Sequence, residues 1–378
     1  MIRGCWLLPA VILACSPGET FKPVSPMLSL TTNWQPVMHY LDSVIQQGAA
    51  PGAVLGVSRQ GERFIYGTGT LGQSDTTRPG AATIYDLASL TKVIGLTTGI
   101  MLAVGDELIE LDTPVQRYVT DFVEAGKDQV TIRLLLSHAS GLPGWRPFFK
   151  EAHTRQEIFA LASSTPLDTT PWSVALYSDV GAIILTRALE LVYRERIDSF
   201  LHRRVFSPLE LFSLHYRPPA AWHDRIAPTE LDPWRGRTLR GEVHDENAAA
   251  MEGVSGHAGL FGSVEDLLTF AEWMIEQWNE GTSLVREFTR RQNLVPGSSR
   301  ALGWDTPSPG SSAGRSLSTS SFGHTGFTGT SLWIDPQHRL AIVLLSNRVH
   351  PTRDNPRWAP VRAAVADLVM TTLAEEIR

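Results

Sequence analysis

The order of helical and strand patterns along the chain constrains its fold more than any other feature. A helical pattern comes first, then a candidate hairpin, a long and mainly helical middle, two more strand patterns and a last helix. In numbers, these segments are 34–48, 53–58 with 63–70, 83–278, 326–335 with 340–347, and 358–376. Since strands come from both chain ends, this order predicts an α+β fold. An antiparallel sheet is flanked by N- and C-terminal helices, and a mainly helical lobe is inserted between its strands.

The lobe boundaries follow from the same patterns. We expect an α/β lobe built from about 33–80 plus 285–378, and a helical lobe at about 81–284, together forming one catalytic domain at 33–378. The 378 residues are 43% hydrophobic, which suffices for a large core and excludes a disordered chain. The formal net charge is −6, so nucleic acid is not an expected partner.

The first 32 residues have the composition of a targeting segment. Arg3 precedes an apolar run of ten residues at 5–14, too short for a membrane-spanning helix, which needs about 20 residues. A secretory signal fits this length, so 1–14 is interpreted as a signal peptide. The run ends at Cys15 in a pattern that resembles a bacterial lipobox. This predicts lipidation of Cys15, a tether at 15–32, a membrane anchor and a cell-envelope or periplasmic location. A plain signal peptide and a buried N-terminal strand remain alternatives.

Ser89-Leu-Thr-Lys92 is the most informative short motif. At a helix start, residues i and i+3 share one face, so the Lys92 amine can reach the Ser89 hydroxyl. Burial disfavours a charged lysine, and a neutral one can activate a serine nucleophile. Most Ser-x-x-Lys pairs occur by chance at the protein surface, but this chain has only four lysines. No serine stands three residues before the others, which are Lys22, Lys127 and Lys150.

Two further triplets carry candidate chemistry. Tyr177-Ser178-Asp179 precedes an apolar helical pattern, and the Tyr177 phenol could relay protons if a nearby lysine eased its ionisation. Asp179 could instead simply cap that helix. His324-Thr325-Gly326 opens the first late strand pattern, where Gly326 would let a substrate approach the backbone closely. Alone, each triplet says little.

The three triplets, in this order, resemble the serine β-lactamase and penicillin-binding DD-peptidase superfamily, and most closely its class C-related branch. Segments 134–142 and 256–263 support the resemblance, which covers most of the chain after residue 34. Together with the lipobox, segments 243–248 and 347–351 also resemble a narrower group, the lipoproteins related to penicillin-binding protein 4B. The resemblance implies a β-lactamase/transpeptidase-like fold and a serine hydrolase that needs no cofactor.

The resemblance also implies a role for each matching residue. Ser89 is the acylated nucleophile, and Lys92 and Tyr177 share the base and acid duties. The backbone amides of Ser89 and Phe327 form the oxyanion hole. The remaining matches bind substrate, and they are Asp179, His324, Thr325 and Gly326.

Two residues depart from the family pattern. Asp179 replaces the usual Asn and lacks the N–H donors of an amide. His324 replaces the more common Lys and, near its ordinary pKa of about 6.5, would be mostly neutral at neutral pH. Three interpretations therefore stay open. They are an enzyme acting on cell-wall D-Ala-D-Ala peptides or β-lactams, a carboxylesterase on the same fold, and a non-catalytic envelope binding lipoprotein.

Three other patterns receive no catalytic role. Segment 310–314 fits a Gly-x-Ser-x-Gly pattern but lies in a stretch rich in Ser, Gly and Pro, so it is interpreted as a loop. Tyr40 and Asp42 repeat the spacing of the second triplet inside a helical pattern. His138 is interpreted as a structural hydrogen-bonding residue. No metal site is expected, because no His or Cys pair has zinc-site spacing.

Overall fold

The computed structural model describes residues 32–375 except residues 74 and 282. The predicted signal peptide, Cys15 and nearly all of the tether lie outside the described residues. The strands are β1 (Gly52–Arg59), β2 (Glu62–Gly69), β3 (Tyr85–Asp86), β4 (His215–Tyr216), β5 (Leu231–Asp232), β6 (Arg237–Thr238), β7 (Leu260–Gly262), β8 (Phe322–Thr325), β9 (Ser331–Asp335) and β10 (Leu340–Ser346). The α-helices are α1 (Gln35–Gln46), α2 (Thr98–Gly105), α3 (Ile132–Leu136), α4 (Arg155–Ser164), α5 (Asp179–Tyr193), α6 (Ile197–Leu201), α7 (Glu246–Ala250), α8 (Val264–Asn279), α9 (Ser283–Thr289) and α10 (Ala359–Glu375).

The main sheet combines strands from both ends of the chain. Its order is β2-β1-β10-β9-β8, and every neighbouring pair is antiparallel. Strand β10 lies at its centre, and all seven of its residues are buried. Helices α1 and α10 pack against each other, and their apolar side chains form one core cluster with the outer face of the sheet. The α+β prediction of a sheet flanked by the two terminal helices is confirmed.

The late strands differ from the prediction in one respect. The sequence predicts one strand over 326–335, whereas the sheet has β8 before Gly326 and β9 after Thr330, joined by a reversal. The Gly326 N–H donates to the Thr330 carbonyl at 2.8 Å, which closes this turn. His324 and Thr325 therefore end a strand instead of opening one, and their side chains lie at the sheet's edge.

The inserted segment is mainly helical, as predicted, and it also carries short strands. A small sheet of order β3-β7-β4 lies beside the main one and includes the residues just before Ser89. Helix α8 begins at a cap, because the Ser263 side chain accepts from the Asp266 N–H. Although it lies in the inserted segment, α8 packs on the inner face of β1 and β10. Its buried side chains join the large core of the helical lobe to the sheet.

Among residues 32–375, apart from 74 and 282, no helix is both long and apolar enough to cross a membrane.

Candidate active site

Ser89 lies in a sharp turn between β3 and the helix that follows. Ala88, immediately before it, has a φ of +48°, a left-handed conformation that a residue with a Cβ rarely adopts. The buried Asp86 holds this turn, because its Oδ1 accepts the Ala88 N–H at 2.8 Å and its Oδ2 accepts the His244 N–H at 2.7 Å. The turn directs the partly exposed Ser89 into a cleft. Asp86 was not predicted as a site residue, although an Asp two residues before a turn is a recognised turn signal.

Lys92 is buried one turn after Ser89 and is surrounded by oxygen atoms. Its Nζ lies 3.0 Å from Ser89 Oγ, 2.8 Å from the His257 carbonyl oxygen and 2.7 Å from Asp179 Oδ1. The side chain is only 4% exposed. The spacing argument from the sequence therefore agrees with the geometry, since the i, i+3 pair is in hydrogen-bond contact.

The protonation of Lys92 differs from the expectation. Burial alone would lower its pKa, but the charge of Asp179 acts against burial and the pKa is raised above its ordinary value. Lys92 is therefore an ammonium cation in the resting site, and the prediction of a lysine neutralised by burial is wrong. The difference arises from Asp179, a residue that the linear sequence does not place beside Lys92.

Tyr177 is positioned by the loop that follows α3. The Leu176 N–H donates to the His138 carbonyl oxygen at 2.8 Å, and the Ser178 N–H donates to His138 Nδ1 at 3.2 Å. The Tyr177 ring lies between two histidines, with centroids 4.7 Å from His138 and 5.8 Å from His324. His138 thus supports the second triplet through hydrogen bonds and ring contact.

Ser178, and not Asp179, caps helix α5. Its hydroxyl accepts the Gly181 N–H at 3.0 Å and donates to the Pro143 carbonyl oxygen at 2.7 Å. Asp179 is the first helical residue, so its carboxylate is free to pair with Lys92. The alternative that Asp179 caps the helix is wrong, and Asp179 Oδ1 forms an ion pair with Lys92.

The Tyr177 hydroxyl is a neutral phenol. Burial and the nearby Asp179 carboxylate raise its pKa, and the opposing effect of Lys92 is smaller. The hydroxyl is buried and makes no hydrogen bond of ordinary geometry with the described residues. Lys92 favours ionisation of the phenol, as predicted, but burial has the larger effect, so the Tyr177 pKa stays raised. A phenol can still donate its proton to a leaving group.

The third triplet is fastened to the turn that carries Ser89. The Thr328 hydroxyl donates to the Asp86 carbonyl oxygen at 2.7 Å, and the Thr330 hydroxyl donates to the Leu87 carbonyl oxygen at 3.0 Å. Gly326 lies at this junction, where a Cβ would be 2.0 Å from Thr330 Oγ1 and 2.6 Å from the Leu87 oxygen. Gly326 is therefore required by contact between two segments of the chain, a reason that the sequence did not indicate.

This junction places two free amides beside the nucleophile. Within the described ranges, neither the Ser89 N–H nor the Phe327 N–H donates to another protein group. Phe327 follows Gly326 directly, and both it and Ser89 line the same cleft. Two unpaired amides are the donors that an oxyanion hole requires. The structure thus brings together the residues to which the family resemblance assigns this role.

His324 is a neutral hydrogen-bond acceptor toward the cleft. Burial, with the charges of Arg300 and Lys92, lowers its pKa to about 3. Its Nδ1 lies 2.8 Å from the Thr325 carbonyl oxygen, which can only accept, so Nδ1 carries the hydrogen. Nε2 then carries a lone pair, and it has no partner among the described residues. His324 is therefore neutral at neutral pH, as expected, and its pKa lies further below neutrality than the ordinary value.

The cleft around these residues has a volume of about 860 Å³. Its lining includes Ser89, Tyr177, Thr325 and Phe327, and also cations that belong to none of the three triplets. These are Arg300, Arg348 and Arg362, with Asp305 as the acidic lining residue. Arg300 lies over the Tyr177 ring, 5.4 Å from its centroid. No short motif marks these arginines, so only the fold reveals their position.

A buried hydrogen-bond network holds His257, whose carbonyl contacts Lys92. His257, whose carbonyl accepts from Lys92, bonds through Nδ1 to Ser255 Oγ at 2.7 Å and through Nε2 to Asp245 Oδ1 at 2.8 Å. Ser255 and His257 are buried, so this arrangement has no access to substrate. Asp245 also caps α7. These contacts hold the His257 carbonyl in place.

The remaining candidates have structural roles. Asp42, which with Tyr40 repeats the spacing of the second triplet, accepts hydrogen bonds from Tyr66 and Thr68. The 310–314 segment is a loop, as predicted, and Ser312 Oγ accepts from the Trp333 indole at 3.1 Å. In the part of the chain that the structure describes, no three His, Cys, Asp or Glu side chains come together as a candidate metal site.

Comparison with known proteins agrees with this arrangement. The model of the family described as Beta-lactamase matches residues 40–367. A Salmonella agona protein named "Putative D-alanyl-D-alanine carboxypeptidase" is 32% identical over 315 residues, which cover 74% of this chain and 72% of that protein.

Solved structures share the fold at low sequence identity. A beta-lactamase from Sulfitobacter sp. EE-36 superposes with a TM-score of 0.72 and 20% identity, covering 91% of this chain and 100% of that one. EstCE1, described as a hydrolase with promiscuous acyltransferase activity, has a TM-score of 0.70 and 21% identity, covering 89% and 99%. The fold, the ordered triplets and the family match lead to one conclusion: the chain belongs to the beta-lactamase family of serine hydrolases.

Proposed function

We propose that this protein is a serine hydrolase that forms an acyl-enzyme on Ser89 and cleaves cell-wall peptides ending in D-alanyl-D-alanine. The convergence of Ser89 Oγ, Lys92 Nζ and the Tyr177 ring carries the proposal. Nζ lies 3.0 Å from Oγ and 4.9 Å from the centroid of the Tyr177 ring. The name of the Salmonella agona relative supports the choice of peptide over other substrates.

The reaction begins with attack of Ser89 Oγ on the substrate carbonyl carbon, and the Ser89 proton passes to Lys92 once Lys92 has itself given up a proton. The amides of Ser89 and Phe327 then hold the oxygen that becomes negative, and one such donor is typically worth about 10²–10³-fold in rate. Tyr177 is a phenol beside Ser89, so it can protonate the departing group. Water then hydrolyses the acyl-enzyme, and the same groups act in reverse.

The charge of the cleft favours a substrate with a carboxylate. Three arginines line it together with one aspartate, Asp305. Asp305 Oδ1 accepts from the Ser299 hydroxyl and from the Thr306 N–H. Arg300 lines the cleft next to Tyr177, where it can meet an anionic group. A peptide ending in D-alanyl-D-alanine has a terminal carboxylate on the leaving side, which suits this surface.

Intact-mass measurement tests the proposal. The protein is incubated separately with a penicillin, a diacetyl-Lys-D-Ala-D-Ala peptide and a short-chain nitrophenyl ester, and released D-alanine is quantified. We expect an adduct that is absent in Ser89→Ala and present in Ser311→Ala, a control serine lining the same cleft. Absence of any adduct in the wild-type protein, or an equal adduct in Ser89→Ala, would refute the proposal.

A carboxylesterase is the second candidate, favoured by the state of His324. Because this side chain is neutral and accepts hydrogen bonds, the third triplet places no positive charge against the substrate. Ester turnover without D-alanine release in the same assay would select the esterase over the peptidase.

We also propose that the protein is exported and anchored by lipid on Cys15. The apolar run at 5–14 followed by cysteine supports this. Metabolic labelling with a radioactive fatty acid should mark the wild-type protein and not Cys15→Ser, whereas equal labelling of both would exclude the anchor.

A further inference from the structure

Lys92 has an oxygen neighbour for each of its three ammonium hydrogens. The oxygens of Ser89, His257 and Asp179 all lie within 3.0 Å of Nζ. A neutral amine has two hydrogens and a lone pair, whereas an ammonium has three hydrogens and no lone pair. As an ammonium, Lys92 donates a hydrogen bond to Ser89 Oγ and cannot accept the Ser89 proton. The resting site therefore lacks a ready base, and some group must first take a proton from Lys92.

Asp179 is the residue placed to take that proton. Its Oδ1 is the nearest oxygen to Nζ, at 2.7 Å, and the contact is an ion pair and not a well-aligned hydrogen bond. The other two neighbours, a serine hydroxyl and a backbone carbonyl, are far weaker proton acceptors than a carboxylate. Helix α5 does not need Asp179, because Ser178 provides the cap.

We propose that Asp179 generates the catalytic base, by accepting a proton from Lys92 and returning it later in the reaction. This rests on the proposed function, since it concerns the acylation of Ser89. The proposal also changes the interpretation of Asp179, which stands where the family's Tyr-x-Asn triplet has its Asn. An asparagine cannot accept this proton, so Asp179 is a gained proton acceptor and not a weakened substrate contact.

In the proposed route a proton leaves Lys92 for Asp179 and is returned after the leaving group departs. One Nζ–H bond breaks and an Oδ1–H bond forms, which leaves a neutral amine and a neutral carboxylic acid. Rotation about Cε–Nζ turns the new lone pair toward Ser89. The Ser89 O–H bond then breaks as Oγ bonds to the carbonyl carbon, and its proton restores the Lys92 ammonium. When the tetrahedral intermediate collapses, the departing nitrogen or oxygen takes a proton from the Tyr177 phenol, which the Asp179 acid replenishes through Lys92.

This route has a distinctive dependence on pH. The ion pair and the neutral pair hold the same number of protons, so their ratio does not change with pH while both groups stay coupled. The supply of neutral Lys92 is then constant through the neutral range. Without Asp179, a neutral lysine arises only by losing its proton to solvent, and its fraction rises tenfold per pH unit below the lysine pKa.

Other charged and titratable groups lie near the pair of Lys92 and Asp179. Tyr177 has a raised pKa, and Asp245 has a lowered pKa because of His257 despite its burial. His138 and His324 have pKa values well below their ordinary range, chiefly through burial, with Arg300 adding to both shifts. His257 presents its carbonyl to Lys92, while its ring bonds to Asp245 and Ser255. All of these groups are present in both proteins compared below, so a difference between profiles reports on Asp179.

The test compares the wild-type protein with Asp179→Asn, which restores the family triplet. Single-turnover acylation of Ser89 by an activated ester or thioester is followed from pH 6 to pH 9. For the wild type we expect a level rate across this range. For Asp179→Asn we expect a rate that is about 10²-fold lower at pH 7 and rises by up to about tenfold per pH unit, levelling off once Lys92, whose pKa burial lowers, has lost its proton. Asp168→Asn, which removes an exposed carboxylate paired with Arg146, is the matched control and should follow the wild type.

Each outcome has a defined meaning. A wild-type rate that itself rises tenfold per pH unit overturns the inference, and this measurement needs no variant to fold. An Asp179→Asn protein that acylates as fast as the wild type, or faster, also overturns it, while Ser89 acylation and the proposed function remain. A wild-type protein that forms no adduct at Ser89 overturns both.

Discussion

Replacing Gly326 by alanine should damage catalysis more than stability. A Cβ at this position would lie 2.6 Å from the Leu87 carbonyl oxygen and 2.0 Å from Thr330 Oγ1, whereas ordinary contacts begin at 3.4 Å. The Thr330 side chain is held by its hydrogen bond to that same carbonyl, at 3.0 Å. Neither neighbour is a free side-chain end, so the two segments must separate by about 1 Å.

That separation acts directly on the oxyanion hole. Phe327 follows Gly326, and Leu87 lies two residues before Ser89, so the two free amides move apart. A displacement of about 1 Å can reduce a rate about 10²-fold. Overpacking of this kind destabilises a fold by about 1–3 kcal/mol, less than the total stability of an ordinary domain. We therefore expect kcat to fall about 10²-fold in a protein that remains folded at 25 °C.

The assay is steady-state turnover of an activated ester together with a thermal melt. Gly80→Ala is the matched control, because a Cβ there meets nothing within 4 Å and its φ is not in the left-handed region. We expect it to keep both its kcat and its melting temperature. A Gly326→Ala protein within threefold of the wild-type kcat would show that the contact between these two turns does not set the position of the amides.

Three further predictions follow from other parts of the site. Lys92→Ala should lose activity nearly as completely as Ser89→Ala, and the double variant should be no slower, because a nucleophile and its base act as a unit; additive losses would contradict this. His324→Gln should resist acid better than the wild type. His324 binds a proton below about pH 6.5 in the unfolded chain but only near pH 3 in the folded protein. Acidification from pH 7.5 to 5 should therefore lower the unfolding free energy of the wild type by about 2 kcal/mol more than that of His324→Gln. Equal losses in urea titrations would exclude the lowered pKa. Ser178→Ala should lower the unfolding free energy by about 1 kcal/mol through loss of the α5 cap, and an unchanged melting temperature would contradict that role.

The features predicted correctly from the sequence are those that depend on the order of strands and helices and on short spacings between residues. The strand patterns at both chain ends predicted the sheet, and the i, i+3 spacing predicted the contact between Ser89 and Lys92. The prediction failed at β8, whose four residues follow a long loop rich in Ser, Gly and Pro and are too few to show alternation. A strand of this length is recognised only through its pairing with β9.

Charge states were predicted less well than positions, for a physical reason. The pKa of Lys92 is decided by Asp179, which is 87 residues away along the chain, and that of His324 by burial with Arg300 and Lys92. None of these neighbours is visible from spacing within a motif. The identity of the residues in a triplet therefore predicted the kind of chemistry, while the direction of proton transfer required the fold.

The buried ion pair also argues against a decayed site that only binds. Removing a charge such as that of Lys92 from water costs several kcal/mol, and replacing a buried pair by apolar residues is often neutral or stabilising by about 1–4 kcal/mol. A binding scaffold released from catalysis would gain by losing Lys92 and Asp179. It would equally have no reason to keep the left-handed Ala88, since that backbone conformation opposes stability. Two separate unfavourable features beside one serine therefore support the proposed role of Ser89 over a site that only binds.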